Sequence, residues 1–477
     1  MFLSLSSAGV LSLLISITIA RSLGVADFGV YSILISVQGV VSLVAGFGLG
    51  TGVAKFVAEH MVRDRQQALK FAKSGLVLVL ILSMITGAVY LVLSGIIGNG
   101  LYEERMIVSL IPFSALVVFS SAILSMAAGM SQGCQRIKLL ASIQISVPVL
   151  SFLLILLFLT LIGIKGIFIG YFVSQLTVSF MAFLKLNGDF HFSTAPLELS
   201  LKSVTMSRLL AFALPTFLGG IMVTPVYWIG STELTLQSGF QAMGYFAIAL
   251  VFYQSLTLIP NAIAIPMMPR VSELSSGTHE HIEKLVTRVM RILSVILFPF
   301  LFAIALLSGS IVELLYGSSY SSASEAVYLM VAASYFYALG VVIGSMIVGI
   351  GRMWLGLGLN VLWAAIFLLL SFLTIPQLGT RGLGLAYATS YGVFLVIVLL
   401  VSKKVLRVEI KGVFVTVASS SVLFLLGFLV AKEGSSFGLI GKVALYVAGL
   451  VLFLIVGRET FAMLLKRVRG FWASVGF

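Results

Sequence analysis

The sequence predicts an all-α integral membrane protein of fourteen transmembrane helices, built as two six-helix lobes related by a pseudo-two-fold axis plus two extra C-terminal helices. Three observations lead there: the composition, the spacing of the apolar runs and an internal repeat. Of the 477 residues, 60% are hydrophobic and 9% charged, with a mean hydropathy of +1.17. Soluble domains hold about 45–50% apolar and about 25% charged residues, so a water-soluble chain is excluded. The single cysteine, Cys134, leaves no room for a disulfide framework, an iron–sulfur cluster or a cysteine zinc site.

A helix needs about 20 apolar residues to cross the hydrocarbon. Apolar runs bounded by charge or by Gly and Pro clusters place helices near 3–20, 28–51, 74–97, 107–130, 141–162, 166–184 and 209–230. Seven more follow near 243–267, 292–315, 324–349, 354–375, 382–402, 412–431 and 437–457. An even number of spans puts both termini on one side. The basic residues say which side, because cytoplasmic segments carry the excess of Lys and Arg. Loops after even-numbered spans, with the C-terminal tail, hold 23 of them; the opposite side holds six, Arg21, Arg105, Lys165, Arg381, Lys432 and Lys442. With acidic residues included, the two sides carry +14 and −1.

Both termini are therefore expected in the cytoplasm of a multi-pass protein of the cell membrane. The net charge of +13 is topological and suits anionic inner-leaflet headgroups; it gives no reason to invoke nucleic acid. Met1 stands directly against the first apolar run. A signal peptide is disfavoured, since there is no charged n-region and Arg21 follows on the outer side. A mis-assigned start codon, a missing amphipathic leader and a short natural start are the alternatives.

Shifting the chain on itself by 215 to 216 residues superposes six spans on six. Gly133-Cys134-Gln135-Arg136 meets Gly349-Ile350-Gly351-Arg352, and Gly163-Ile164-Lys165-Gly166 meets Gly379-Thr380-Arg381-Gly382. Tyr171 and Ser174 meet Tyr387 and Ser390, Gly29 meets Gly244, and Lys55 meets Arg270. Six spans per copy give the copies one orientation, with the axis along the membrane normal. The expected division is an N-terminal lobe at 1–208, a C-terminal lobe at 209–411, extra helices 13 and 14 at 412–457 and a basic cytoplasmic tail at 458–477. Arg136, Arg352, Lys165 and Arg381 are read as loop anchors rather than chemistry.

The stretch Ala20-Arg21-Ser22-Leu23-Gly24-Val25-Ala26-Asp27-Phe28-Gly29-Val30-Tyr31 resembles the first extracytoplasmic turn of the polysaccharide flippases, the oligosaccharide-lipid branch of the multidrug/oligosaccharidyl-lipid/polysaccharide (MOP) superfamily. The resemblance extends to Gly46-Phe47-Gly48-Leu49-Gly50, to Leu214-Pro215 and to Pro266-Met267-Met268-Pro269-Arg270. It implies a V-shaped pair of lobes that moves a polyprenyl-diphosphate-linked oligosaccharide from the inner to the outer leaflet by alternating access. Glycosyltransferases or a polymerase of the same pathway would be further partners. It also implies a cavity lined by helices 1, 2, 7 and 8.

Such a cargo carries fixed negative charge and many hydroxyls, so its site needs Arg or Lys for pairing and amides or hydroxyls for hydrogen bonding. The candidate cations are Arg21 at the end of helix 1, Lys55 after helix 2 and Arg270 after helix 8. The candidate amides are Gln38 in helix 2 and Gln254 and Asn261 in helix 8, ahead of Gln144, Gln175 and Asn360. Pro215, Pro225, Pro260 and Pro266 are candidate hinges, since an interior proline removes a helical hydrogen bond. Glu233 is read as a solvated carboxylate near the outer end of helix 7.

No enzyme activity, cofactor or metal is expected. The chain lacks the Gly-x-x-x-x-Gly-Lys-[Ser/Thr] phosphate loop of an ATP-driven pump. His60, His191, His279 and His281 fall in cytoplasmic segments, and His279-Glu280-His281 wants a third ligand. The main alternative is a cation-coupled multidrug exporter of the same superfamily, which would place Asp or Glu within its spans. An embedded glycosyltransferase or polymerase would need a large outer domain that these loops do not provide, and a scramblase or structural component is a third possibility.

Overall fold

The computed structural model describes residues 2–61, 63–190, 204–221, 223–274, 279–405, 411–432 and 439–456, and among these the regular structure is helical, with no strand. The helices are α1 (Phe2–Leu23), α2 (Val25–Gly46), α3 (Leu49–His60), α4 (Arg65–Val92), α5 (Arg105–Gly133), α6 (Ile137–Ile162), α7 (Ile164–Phe190) and α8 (Val204–Ile221). They continue with α9 (Thr224–Leu274), α10 (His279–Leu306), α11 (Ser308–Tyr316), α12 (Ser324–Gly349), α13 (Met353–Leu378), α14 (Thr380–Val405), α15 (Lys411–Lys432) and α16 (Leu439–Val456). A π-helical turn at Ile96–Leu101 follows α4, and a 3₁₀ turn at Ser318–Ala323 precedes α12. Ten described helical segments are long and apolar enough to cross a membrane, the longest being Val204–Ala264, and Gly9–Leu23 and Val417–Leu429 are shorter apolar helices.

Helices fall on all fourteen expected spans, but three spans are composite. The second is α2 followed by the start of α3, broken where Phe47 (φ 44°) and Gly48 (φ 69°) both turn left-handed. Unbroken, 25–60 would run about 54 Å at about 1.5 Å per residue, well past a hydrocarbon core of about 30 Å. The break frees α3 to bury Leu49, Val53, Phe56 and Val57 on one face and expose Thr51, Lys55 and Glu59 on the other. The seventh span is α8 plus the start of α9, and the ninth is α10 plus α11.

The repeat is written in the backbone. Gly24 (φ 78°, ψ 174°) joins α1 to α2, and Gly239 (φ 80°, ψ 173°) interrupts α9 in the same conformation. Residues with a side chain rarely reach that region, and 215 positions separate the pair. Gln135 and Gly351 both have positive φ, as do Gly163 and Gly379.

The chain divides into two units, Met1–Gly244 and Tyr245–Phe477. In the first, Val53 and Val57 of α3, Phe71 of α4, Met126 and Met130 of α5 and Leu209 of α8 share one buried core. Hydroxyls tie its helices together: Ser151 to Ser174 (2.6 Å), Ser114 to the Tyr90 hydroxyl (3.0 Å) and Ser120 to Gln175 Oε1 (2.7 Å). In the second, α12 is the central helix, packed by α10, α14 and α15. The Tyr328 hydroxyl donates to the Phe424 carbonyl of α15 (2.7 Å), and Tyr335 pairs with Ser420 (3.0 Å). Phe298 stacks on Phe453 of α16, ring centroids 4.3 Å apart. The outward faces carry bare apolar side chains such as Met84, Val92, Leu161, Phe180, Leu369 and Leu425, as a lipid solvent permits.

Candidate functional site

In the first unit, the α2–α3 break packs on α8. Phe47 stacks on Phe217 at 4.5 Å, and Gly48 lies so close to Ala213 and Thr216 that a Cβ there would be 2.7 Å from the Ala213 carbonyl oxygen. This contact brings the α3 cation to the α8 aromatics. Lys55 Nζ sits 4.2 Å from the ring centroid of Phe212 and 5.1 Å from that of Phe56. An ammonium over two rings is held by their quadrupoles while its N–H groups stay available for an anion.

Gln38 lies on α2, and its Oε1 is buried without a hydrogen-bond partner among the described residues. A desolvated amide oxygen without a donor is costly, and it is the type of group a hydroxylated ligand satisfies. A Cβ on the neighbouring Gly39 would lie 3.6 Å from Thr224 Cγ2, so this turn of α2 passes the start of α9. Arg21 is exposed in the last turn of α1. Pro215 lies inside α8, whereas Pro225 is the second residue of α9, in a first turn whose N–H groups have no helical partner in any case.

In the second unit, Gln254 is exposed on α9 and Asn261 accepts a hydrogen bond from the Tyr337 hydroxyl (2.9 Å). Pro260 is buried inside α9. Pro266 and Arg270 are on the same helix, with their side chains outside the described ones, as are those of His279 and His281. His191 lies outside the described residues altogether. His60 pairs with the Phe56 carbonyl at 2.9 Å and packs on the Phe71 ring. The structure therefore brings Lys55 to α8 and the α2 turn that carries Gln38 to the start of α9 within the first unit, and places Gln254, Asn261 and Pro260 on one helix of the second.

Sequence reasoning missed three groups. Continuing from Tyr337, which bonds Asn261, the rings of Tyr253, Tyr337, Trp363, Tyr387 and Tyr391 pack on one another at 5.1 to 6.5 Å between centroids. Only Tyr387 had been marked, by the repeat. At the end of the first unit that the charge bias assigns to the outside, the Tyr102 hydroxyl joins Thr232 (2.7 Å) and accepts from Trp228 Nε1 (3.0 Å). Burial pushes the Tyr102 phenol above its ordinary value, against the pull of those two hydrogen bonds. The third group pairs Arg381, read as a loop anchor, with Glu325 at 2.5 Å.

Bundled membrane-length helices, a repeated backbone and polar side chains held at span depth define a polytopic helical membrane protein of the transporter type. The backbone is similar to that of the lipid II flippase MurJ in an inward closed conformation, covering 95% of this chain and 98% of that one with a TM-score of 0.75 at 14% identity. It is also similar to an inward-facing multidrug resistance MATE family transporter of the MOP superfamily, covering 84% and 94% with a TM-score of 0.71 at 17% identity. The chain belongs to the polysaccharide biosynthesis protein family, whose model matches residues 18–325. A curated relative, the EPS I polysaccharide export inner membrane protein EpsE of Ralstonia nicotianae, is 24% identical over 406 residues, or 79% of this chain and 86% of that protein.

Proposed function

We propose that this protein flips a polyprenyl-diphosphate-linked oligosaccharide from the cytoplasmic to the outer leaflet for cell-surface polysaccharide synthesis, acting as a transporter and not as an enzyme. The observation that carries the reading is membership of the polysaccharide biosynthesis family on a backbone that is nearly coextensive with a lipid II flippase. The site chemistry agrees with it. Lys55, braced by Phe212 and Phe56, supplies charge for a diphosphate, and the orphan Gln38 carbonyl oxygen accepts from a sugar hydroxyl. Arg21 and Arg270 would pair the diphosphate at the two ends of its path, with Gln254 and Asn261 as further hydrogen-bonding groups.

In this reading, 1–208 and 209–411 act as the two lobes, 412–457 adds helices 13 and 14, and 458–477 is a cytoplasmic tail on anionic lipid. Both termini face the cytoplasm of the cell membrane, which the charge bias supports. Pro215, Pro260 and Pro266 serve as hinge points for alternating access, and Pro225 does so by its place at the α8–α9 joint rather than by breaking a helix. Glycosyltransferases or a polymerase of the same pathway supply and consume the cargo.

A multidrug exporter is the second reading, favoured by the MATE-type fold match. Against it, several of the described carboxylates sit in terminal turns of helices, Asp27 in the first turn of α2, Glu59 at the end of α3 and Glu325 in the first turn of α12, whereas Glu233 is half-buried inside α9 before the Gly239 break. The test is translocation in sealed proteoliposomes, with outer-leaflet glycan read by an impermeant enzyme and ethidium movement measured in parallel. Glycan movement that depends on the protein supports the flippase; ethidium movement without glycan movement overturns it in favour of the exporter.

A further inference from the structure

The second unit holds a cavity of about 360 Å³ at the end that the charge bias assigns to the outside. Three pieces of chain meet there. Tyr245 comes from α9, Ser321 and Ser322 from the 3₁₀ turn with Ser324 and Glu325 at the start of α12, and Leu378, Thr380 and Arg381 from the α13–α14 turn. Small-ligand cavities run from about 300 to about 1,000 Å³, so the space suits a mono- or disaccharide unit.

The lining decides what kind of molecule fits. Arg381 and Glu325 are paired across the cavity wall, which leaves the site without net charge. An inorganic anion would find the guanidinium already neutralised, and a metal cation would find the carboxylate neutralised. The ion pair still has unused guanidinium N–H donors and carboxylate lone pairs, in fork geometries that match adjacent hydroxyls. Around it stand three serine hydroxyls, of Ser321, Ser322 and Ser324, each able to donate once and accept twice, with Thr380 beside them in the wall. Leu378 is the one aliphatic hydrocarbon side chain in the lining, too little for a lipid tail. Tyr245 supplies a ring face, and Tyr320 holds it in place through a perpendicular contact at 6.5 Å. A Glu325 side chain 19% exposed and an Arg381 side chain 52% exposed keep the cavity open to water.

A neutral, hydroxyl-rich ring with one apolar face complements every part of this lining. We infer that the cavity is a saccharide-binding subsite that holds a sugar unit of the glycan cargo at the outer end of the second unit, an inference that rests on the flippase reading for the cargo's identity. The first copy of the repeat lacks it: Ser321 and Ser324 fall opposite Arg105 and Val108, and Thr380 opposite Ile164. The subsite is therefore a specialisation of one copy.

The experiment uses the full chain in lipid nanodiscs and saturation-transfer NMR with glucose, galactose, rhamnose, N-acetylglucosamine and N-acetylgalactosamine at millimolar concentration, with inorganic phosphate as a competitor. Ser322→Trp fills the cavity from an exposed turn position without touching the ion pair, and Arg381→Gln with Glu325→Gln removes the fork. Signal from at least one sugar, insensitive to phosphate and reduced at least fivefold by Ser322→Trp, is the expected result. Absence of signal from all five sugars, or signal unchanged in Ser322→Trp, overturns the subsite. Proteoliposome flux of lipid-linked oligosaccharide separates the two readings. Flux without sugar binding overturns the subsite alone, whereas cavity-dependent sugar binding without flux upholds the subsite and overturns the flippase reading.

Discussion

Gly29 and Gly244 lie against each other's helix starts in a reciprocal contact: a Cβ on Gly29 would collide with the Phe240 carbonyl oxygen, and a Cβ on Gly244 with the Val25 carbonyl oxygen. The two glycines are 215 positions apart, and so are Val25 and Phe240. Backbone oxygens cannot swing aside as a flexible side chain can. Gly29→Ala and Gly244→Ala should each cost about 1–3 kcal/mol through overpacking. Gly87→Ala, within α4 with nothing near its would-be Cβ, should instead stabilise by about 0.5–1 kcal/mol. Thermal unfolding in nanodiscs checks this, and a Gly29→Ala variant as stable as wild type would refute it.

Lys55 is held over Phe212 by geometry that an uncharged side chain cannot keep. Lys55→Gln should lower glycan flux several-fold at normal membrane insertion, with Lys55→Arg retaining most of it. Phe212→Leu forfeits a cation–π contact of about 0.5–1 kcal/mol at an exposed site and should give an intermediate flux. Wild-type flux from Lys55→Gln would remove the residue from the site.

Gln38 offers a test in which stability and activity move in opposite directions. Its buried Oε1 has no donor among the described residues, so Gln38→Leu should raise stability by up to about 1–3 kcal/mol while reducing flux. A stabilised variant with unchanged flux would make the residue an imperfection in packing.

Tyr102 should govern alkaline stability at the outer end of the first unit. Burial holds its phenol above the ordinary value of about 10. The neutral form is thus the one that folding favours, so its contribution is complete below about pH 10 and falls as the pH rises through the elevated pKa. Tyr102→Phe removes the hydrogen bonds to Thr232 and Trp228, at about 1–3 kcal/mol near neutrality, and should flatten the loss of stability above about pH 10. A melting temperature with the same pH dependence in both proteins would refute it.

The spans were legible because a bilayer demands long apolar runs, and the repeat was legible because Gly163 and Gly379 end matching helices with positive φ. The second helix's break was not, because Phe47 carries no local signal for a left-handed turn and is held there by stacking on Phe217 of a distant helix. Lys55 was found as a cation, but the aromatic face beneath it came from α8 and had no mark in its own segment. The Tyr253, Tyr337, Trp363 and Tyr391 rings escaped notice since uncharged aromatics are common in spans and these come from four different helices. Arg381 looked like an anchor because its partner, Glu325, begins another helix, and only folding reveals that the two charges cancel.

The single-residue joints at Gly24 and Gly239 leave no slack between consecutive membrane helices. Inserting even one residue into such a helix would rotate everything beyond it by about 100°, turning lipid-facing leucines inward and polar groups toward hydrocarbon. Insertions and deletions should therefore accumulate in the longer connections and be purged here, so that Gly24 and Gly239 themselves serve as fixed points for aligning distant members of the family.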